Sequence, residues 1–323
     1  MKNIELKINE KFVEILRTIE PEKVKLVSLL CELIECEKLA VYRRLRSDMP
    51  FTFAEIVKIS MHIGISLDRI AGISDQYRSQ PYNMFWQDYF NLTDVDYNMS
   101  GDYIKAINFA SKCPHSEIGI AMTTLPLHAM VNFPNLYRLY ILKSLYQLGS
   151  PNEPVPYSGI VIPSRMINEH KLYNKAVREI AYTYVIMDEY ILETYIRDVK
   201  YFQSIRLISK NEIDIIKRDL LNLINCVEKI ATFGAYDNGK EVDLYVTGLT
   251  FETTYTYIYS DSVTVSMVDA FTTGSMASVD KDACDHIRKW LRSMKRTSTM
   301  ISSSEKNRIM YFDKQRSIVE NML

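Results

Sequence analysis

Leu29-Leu30-Cys31-Glu32-Leu33-Ile34-Glu35-Cys36-Glu37-Lys38-Leu39-Ala40-Val41-Tyr42-Arg43-Arg44-Leu45-Arg46 is the stretch on which the reading of this 323-residue chain turns. It places an apolar helical run, a short acidic turn and a second helix in sequence, which is the helix-turn-helix arrangement. In the second helix Val41 and Leu45 stand one turn apart and can anchor an inner face. Lys38, Tyr42, Arg43 and Arg46 then project together on another face, and three arginines fall within four residues.

The flanking residues carry the same short-helix punctuation. Phe12, Ile15, Leu16 and Ile19 give a first helix that must stop before Pro21, and a second is expected over 22–33. The third spans 37–46 and ends before Asp48-Met49-Pro50; a fourth runs from Thr52 or Phe53 to His62. Gly64 then supplies a helix-stop signal, and Ser66 an N-cap for a fifth helix over 67–71.

Over residues 10–73 this pattern resembles the Cro and phage-repressor-like helix-turn-helix regulators, the XRE type. The segment Phe53 to Ile70, with its Gly64-Ile65-Ser66-Leu67-Asp68 link, looks like that family's closing helix pair. Two positions differ from the family pattern: Glu35 stands where the turn often has Gly, and Arg44 where an apolar residue is common. The resemblance implies a five-helix domain that binds double-stranded DNA, usually as a homodimer on a two-fold-related site. Carried over by position, Glu37, Lys38 and Tyr42 become candidates for base contact, and Arg43 and Arg46 for phosphate or base contact. Lys25 and Ser28, near the start of the preceding helix, become candidates for positioning on the backbone. The plainer reading of Arg43, Arg44 and Arg46 is a solvated face paired with Glu35, Glu37 or Asp48.

Composition sets the frame for the remainder. A formal net charge of -1 means that any contact with a polyanion must come from a local patch. With 10 Gly and 10 Pro, turn positions are scarce and long helices are favoured. The five cysteines include no Cys-x-x-Cys pair, and the five histidines show no metal-ligand spacing, so neither disulfides nor a metal site is signalled. No phosphate-binding loop, Gly-x-Ser-x-Gly elbow or other catalytic signature stands in the chain, and neither an enzyme nor a cofactor is expected. Without a leader or a membrane-spanning run, a cytoplasmic protein without membrane contact is expected.

The expected fold is mainly α. A DNA-binding domain over 1–73 and a linker over 74–100, with room for a short helix at 85–90, precede a larger helical domain over 101–323 that carries a small antiparallel sheet at 242–268. The 163–208 segment, free of Gly and internal Pro, reads as one of the longest helical stretches, with Tyr182, Tyr184, Tyr190, Tyr195 and Tyr201 along it. The basic run His286, Arg288, Lys289, Arg292, Lys295 and Arg296 reads as the solvated face of an amphipathic helix, and Ser302 with Glu305 as a capping box. The function expected from all of this is a sequence-specific DNA-binding transcription regulator whose C-terminal domain dimerises or senses a small-molecule effector. The alternatives are a scaffold whose N-terminal helices bind a protein, and an enzyme with a fused DNA-binding domain.

Overall fold

The computed structural model describes residues 2–20, 22–63, 65, 67, 70, 82–86, 94–149, 154–272 and 274–323. The chain divides into two compact units, Met1–Pro81 and Tyr82–Leu323.

In the first unit four helices are described: α1 (Lys2–Ile19), α2 (Lys23–Ile34), α3 (Lys38–Leu45) and α4 (Phe53–Ile63). Their apolar stripes meet in one core, in which Phe12, Leu16, Leu30, Val41 and Ile59 lose all contact with solvent. The Phe12 and Phe51 rings close this core edge to face at 5.3 Å, an arrangement aromatic pairs favour. Of the expected closing pair, Gly64, Ser66, Asp68 and most of the fifth helix lie outside the described residues. Ile65 and Ile70 do belong to the core.

The second unit overturns the expected fold class. Among the described residues it is built on an eight-stranded mixed sheet, with the strands side by side in the order 83–86, 274–278, 264–271, 255–259, 117–122, 182–188, 241–247 and 299–300, not on helices carrying a small antiparallel insert. In chain order its elements begin with β1 (Asn83–Trp86), α5 (Asp94–Ala110), β2 (Glu117–Met122), α6 (Leu127–Met130) and α7 (Pro134–Leu148). They continue with α8 (Ser164–Arg178), β3 (Tyr182–Asp188), α9 (Ile191–Ser204), α10 (Lys210–Phe233), β4 (Glu241–Thr247), β5 (Tyr255–Tyr259) and β6 (Thr264–Phe271). The chain closes with β7 (Gly274–Ser278), α11 (Lys281–Thr297), β8 (Thr299–Met300) and α12 (Glu305–Met322). Part of the segment expected as linker is therefore strand β1 and the start of α5; residues 87–93 lie outside the described set, as do 150–153 of the proline-rich loop.

Strands β2, β3 and β4 are parallel neighbours, joined by helical crossovers that both run over the same face. Two of these strands have no counterpart in the expected fold: β2 falls between the expected helices, and β3 inside one. β2 is Glu-Ile-Gly-Ile-Ala-Met, and β3 sits in the middle of the Gly-free segment, between two helices. Parallel strands covered on both faces read as short apolar runs, which periodicity alone does not separate from a buried helix. The 242–268 region is likewise not one meander: β4 pairs parallel with β3, whereas β5, β6 and β7 form the antiparallel part on the far side of β2.

The pleat sorts the side chains. Ile118, Ile120 and Met122 of β2, Val185 and Met187 of β3, and Val242 and Leu244 of β4 point into the large core under the crossover helices. The opposite face carries Tyr184, Tyr245 and Tyr257 beneath α11. Gly119 lies directly opposite Tyr184 on one side and Tyr257 on the other, and their rings fill the space above it. A Cβ on residue 119 would fall 2.4 Å from Tyr257 Cε1 and 2.5 Å from Tyr184 Cζ. Tyr182 and Tyr184 thus belong to a strand, and the expected row of tyrosines on one helix does not exist; Tyr195 and Tyr201 lie on α9.

Helix α11 also departs from its reading as a solvated basic face. Arg292 forms an ion pair with Glu117 at 3.0 Å, and the Arg288 guanidinium lies 3.6 Å from the Tyr259 ring centroid. Lys295 Nζ donates to Tyr182 Oη at 2.7 Å and sits over the Tyr182, Tyr184 and Tyr245 rings at 4.6–5.2 Å. Burial lowers the pKa of Lys295, against the pull of Asp243 and Glu117. Three of the six basic residues are therefore spent holding α11 to the sheet. The cap of α12 is shifted as well: Ser304, not Ser302, accepts from Asn307 N, while Ser302 Oγ accepts from Leu244 N at 3.2 Å.

Gly119→Ala tests this packing. The new methyl has to displace two packed rings, and overpacking of that kind costs about 1–3 kcal/mol. A fall of several degrees in the thermal midpoint is expected; an unchanged midpoint would show that the rings move aside freely.

Candidate nucleic-acid interface

The turn between α2 and α3 is three residues long, and its geometry explains the first departure from the family pattern. Glu35 takes left-handed backbone angles, φ 52° and ψ 45°, and its N–H closes the end of α2 on Cys31 O. This is the position at which a glycine costs nothing, whereas an L residue pays about 1–2 kcal/mol. Glu35 offsets part of that through an ion pair with Lys58 at 2.7 Å, but both side chains are more than half exposed and the pair contributes little.

Arg44 explains the second departure. Its side chain is 8% exposed, and its guanidinium donates from Nε to Glu55 Oε2 at 3.0 Å and from Nη2 to Glu55 Oε1 at 2.6 Å. The same carboxylate accepts from Thr52 N at 2.8 Å while Thr52 Oγ1 accepts from Glu55 N, a reciprocal cap at the start of α4. Burial raises the Glu55 pKa, but the Arg44 and Thr52 bonds outweigh it and the net shift is downward. Arg44 thus ties α3 to α4 and is withdrawn from any surface role.

Helix α1 fixes the other end of α3. Arg17 Nη2 donates to Leu45 O at 2.8 Å, filling an acceptor that the helix end leaves open. The buried Asn9 donates to Ser47 Oγ at 3.1 Å and accepts from Phe51 N at 2.9 Å, holding the loop between α3 and α4. A helix of eight residues, too short to be stable alone, is set in place by these tertiary bonds.

With Val41, Arg44 and Leu45 turned inward, the outward face of α3 presents Lys38, Arg43 and Arg46, with Tyr42 half-buried. Among the described residues neither Lys38 nor Arg43 makes an ion pair. Arg46 reaches Asp48 at 3.1 Å and Lys25 reaches Glu22 at 2.6 Å, both as exposed pairs that a phosphate can displace at little cost. Glu37 is the exposed N-cap residue of α3, with no side-chain capping bond, and Ser28 is exposed on α2.

Two members of this face were not singled out from the sequence. Leu39 is 68% exposed in the middle of the charged residues, and Lys23 lies 5.5 Å from the Tyr42 ring centroid. A leucine among the cations of a short helix is a signal that the sequence does carry. Lys23 shows no signal of its own, because its place beside Tyr42 is set by the α2–α3 crossing.

Two substitutions separate the structural residues from the surface ones. Arg44→Ala leaves the half-buried Glu55 carboxylate without its main partner and is expected to cost about 1–3 kcal/mol, whereas Arg43→Ala changes stability by less than about 0.5 kcal/mol. Glu35→Gly is expected to hold or raise stability, by up to about 1 kcal/mol, because it removes the left-handed penalty. Urea unfolding of the full chain measures all three; a destabilised Glu35→Gly protein would contradict the account of the turn. In comparisons with protein-family models, with curated proteins and with solved structures, nothing matches the chain.

Proposed function

We propose that this chain is a sequence-specific DNA-binding transcription regulator that lays α3 in the major groove of double-stranded DNA. The observation that carries this reading is the outward face of α3. Once Val41, Arg44 and Leu45 are assigned to the core, the basic residues that remain form one contiguous exposed strip, Lys38, Arg43 and Arg46, flanked by Tyr42 and Leu39. Guanidinium and ammonium groups on such a strip can grip phosphates or the O6/N7 edge of guanine. Glu37 can accept from a cytosine amino group, and Leu39 can meet a thymine methyl. Lys25 and Ser28 on the preceding helix are suited to backbone contacts that set register.

With a net charge of -1 the attraction is local, so affinity rests on a few phosphate contacts and not on a broad field. A homodimer is part of the proposal, since two such helices one DNA turn apart read a two-fold-related site. The second unit then supplies dimerisation, effector sensing or both.

Selection of bound sequences from a random duplex library, followed by anisotropy titrations at two salt concentrations, tests this directly. A half-site repeated with two-fold symmetry is expected, with binding that weakens steeply as salt rises. The Arg43→Ala/Arg46→Ala double variant is expected to lose most of the affinity and to lower the salt slope by about 2, close to 0.9 per phosphate contact. Unchanged binding in the double variant would remove α3 from the interface.

A further inference from the structure

Open α/β sheets take ligands outside the carboxyl ends of their strands, where the connections diverge. In the second unit that place lies beyond β2, which has parallel β3 on one side and antiparallel β5 on the other. A cavity of about 210 Å³ opens there, room for about seven waters at roughly 30 Å³ each. It is smaller than the ~300–1,000 Å³ of drug-sized sites.

The charged groups around it do not balance. Lys143 on α7 is matched by Asp198 on α9, Nζ to Oδ2 at 2.8 Å. That leaves two carboxylates, Glu252 at the exposed mouth and Asp269 on β6, against no further cation in the lining. Asp269 is the deeper of the two. Its main chain is pinned on both sides, N–H to Thr254 O at 2.9 Å and O accepting from Thr253 Oγ1 at 2.6 Å, next to a register shift in the β6–β7 pairing. Irregularities of this kind re-aim a side chain. Among the described residues no donor reaches its carboxyl group, nor does any reach the Thr123 hydroxyl at the end of β2.

We propose that this cavity binds a small organic cation with N–H donors, a short-chain amine or small amino sugar, whose ammonium pairs with Asp269 and whose other polar groups meet Thr123 and Thr124. Glu252 at the mouth adds attraction for the same charge. Every group invoked lies in the second unit, so the assignment does not rest on the DNA reading.

Burial pushes the Asp269 pKa up to about 7. The titratable groups that face it are Tyr140 of α7 and Tyr173 of α8, both held neutral by burial, while Lys143 is taken by Asp198. The Asp269 carboxyl is therefore protonated below neutrality and available to a cation above it. The consequence for the unliganded protein has a definite sign. The folded pKa lies above the unfolded value of about 3.9, so the Asp269 contribution is fully present below pH ~4 and is lost as pH rises through 7.

The test uses the full chain with putrescine, ethanolamine, agmatine and glucosamine, set against butanediol, glucose and succinate, by calorimetric titration and thermal unfolding. At least one amine is expected to bind with a submillimolar Kd and to raise the midpoint, while the neutral and anionic compounds do neither. Affinity is expected to fall about tenfold from pH 8 to pH 6, because a carboxyl with a pKa near 7 goes from about nine-tenths to one-tenth ionised. Asp269→Asn is expected to fold, to lose the decline in unliganded midpoint between pH 5 and 8, and to bind at least tenfold more weakly. Glu252→Gln, at the exposed mouth, weakens binding severalfold and guards against a folding defect in the first variant. Absence of binding by any amine, equal binding by butanediol, or undiminished binding to Asp269→Asn overturns the proposal.

Discussion

Burial of β2 and β3 on both faces is the constraint on which the larger unit depends. One face of the pair takes Ile118, Ile120, Val185 and Met187 under the crossover helices, and the other takes Tyr184 and Tyr257 under α11. The two faces ask for different side chains at alternate positions, and Gly119 meets the harder demand by leaving room for two rings directly opposite it. Tyrosine rings so packed then set what α11 must carry. Arg288 lies over the Tyr259 ring and Lys295 over the Tyr184 ring, where a cation is attracted by the ring quadrupole. A helix of basic character is thereby made part of the core, with Glu117 as a counter-charge at the start of β2.

The small unit solves a related problem with fewer residues. Its third helix is only eight residues long and is held at both ends from outside, by Arg17 and Asn9 of α1 and by the Arg44–Glu55 pair. Glu55 serves two purposes at once, capping α4 and receiving Arg44, so one carboxylate fixes the angle between two helices. The cost is one charge pair withdrawn from water, which only near-ideal bidentate geometry recovers. The benefit is positional: the outward strip of α3 stands on a rigid support, so the spacing of its cations is fixed.

The two polar surfaces that remain differ in kind. The strip on α3 is exposed, cationic and lightly paired, suited to a large anionic surface. The cavity beyond β2 is recessed, acidic and built on main chain held in place, suited to something small and positive. The chain carries them in separate units.

What the sequence by itself determined is the local order of the four helices between residues 2 and 63. The stops at Pro21 and Pro50, the apolar spacing of Phe12, Leu16, Val41 and Leu45, and the acidic turn at 35–37 all act over a few residues, and the helices lie where they place them. The exposed members of α3 were legible for the same reason, since the face left over once an apolar stripe is buried can be counted along one helix. Arg44 was not, because its partner lies eleven residues on and across a turn. In the second unit only tertiary structure decided the outcome. An apolar six-residue run such as Glu117–Met122 is compatible with helix or strand, and it becomes a central parallel strand because neighbours far along the chain hydrogen-bond to both of its edges. The same long-range pairing turned the basic helix inward and brought Asp269 to the mouth of β2, contacts between residues a hundred or more positions apart that no local pattern encodes.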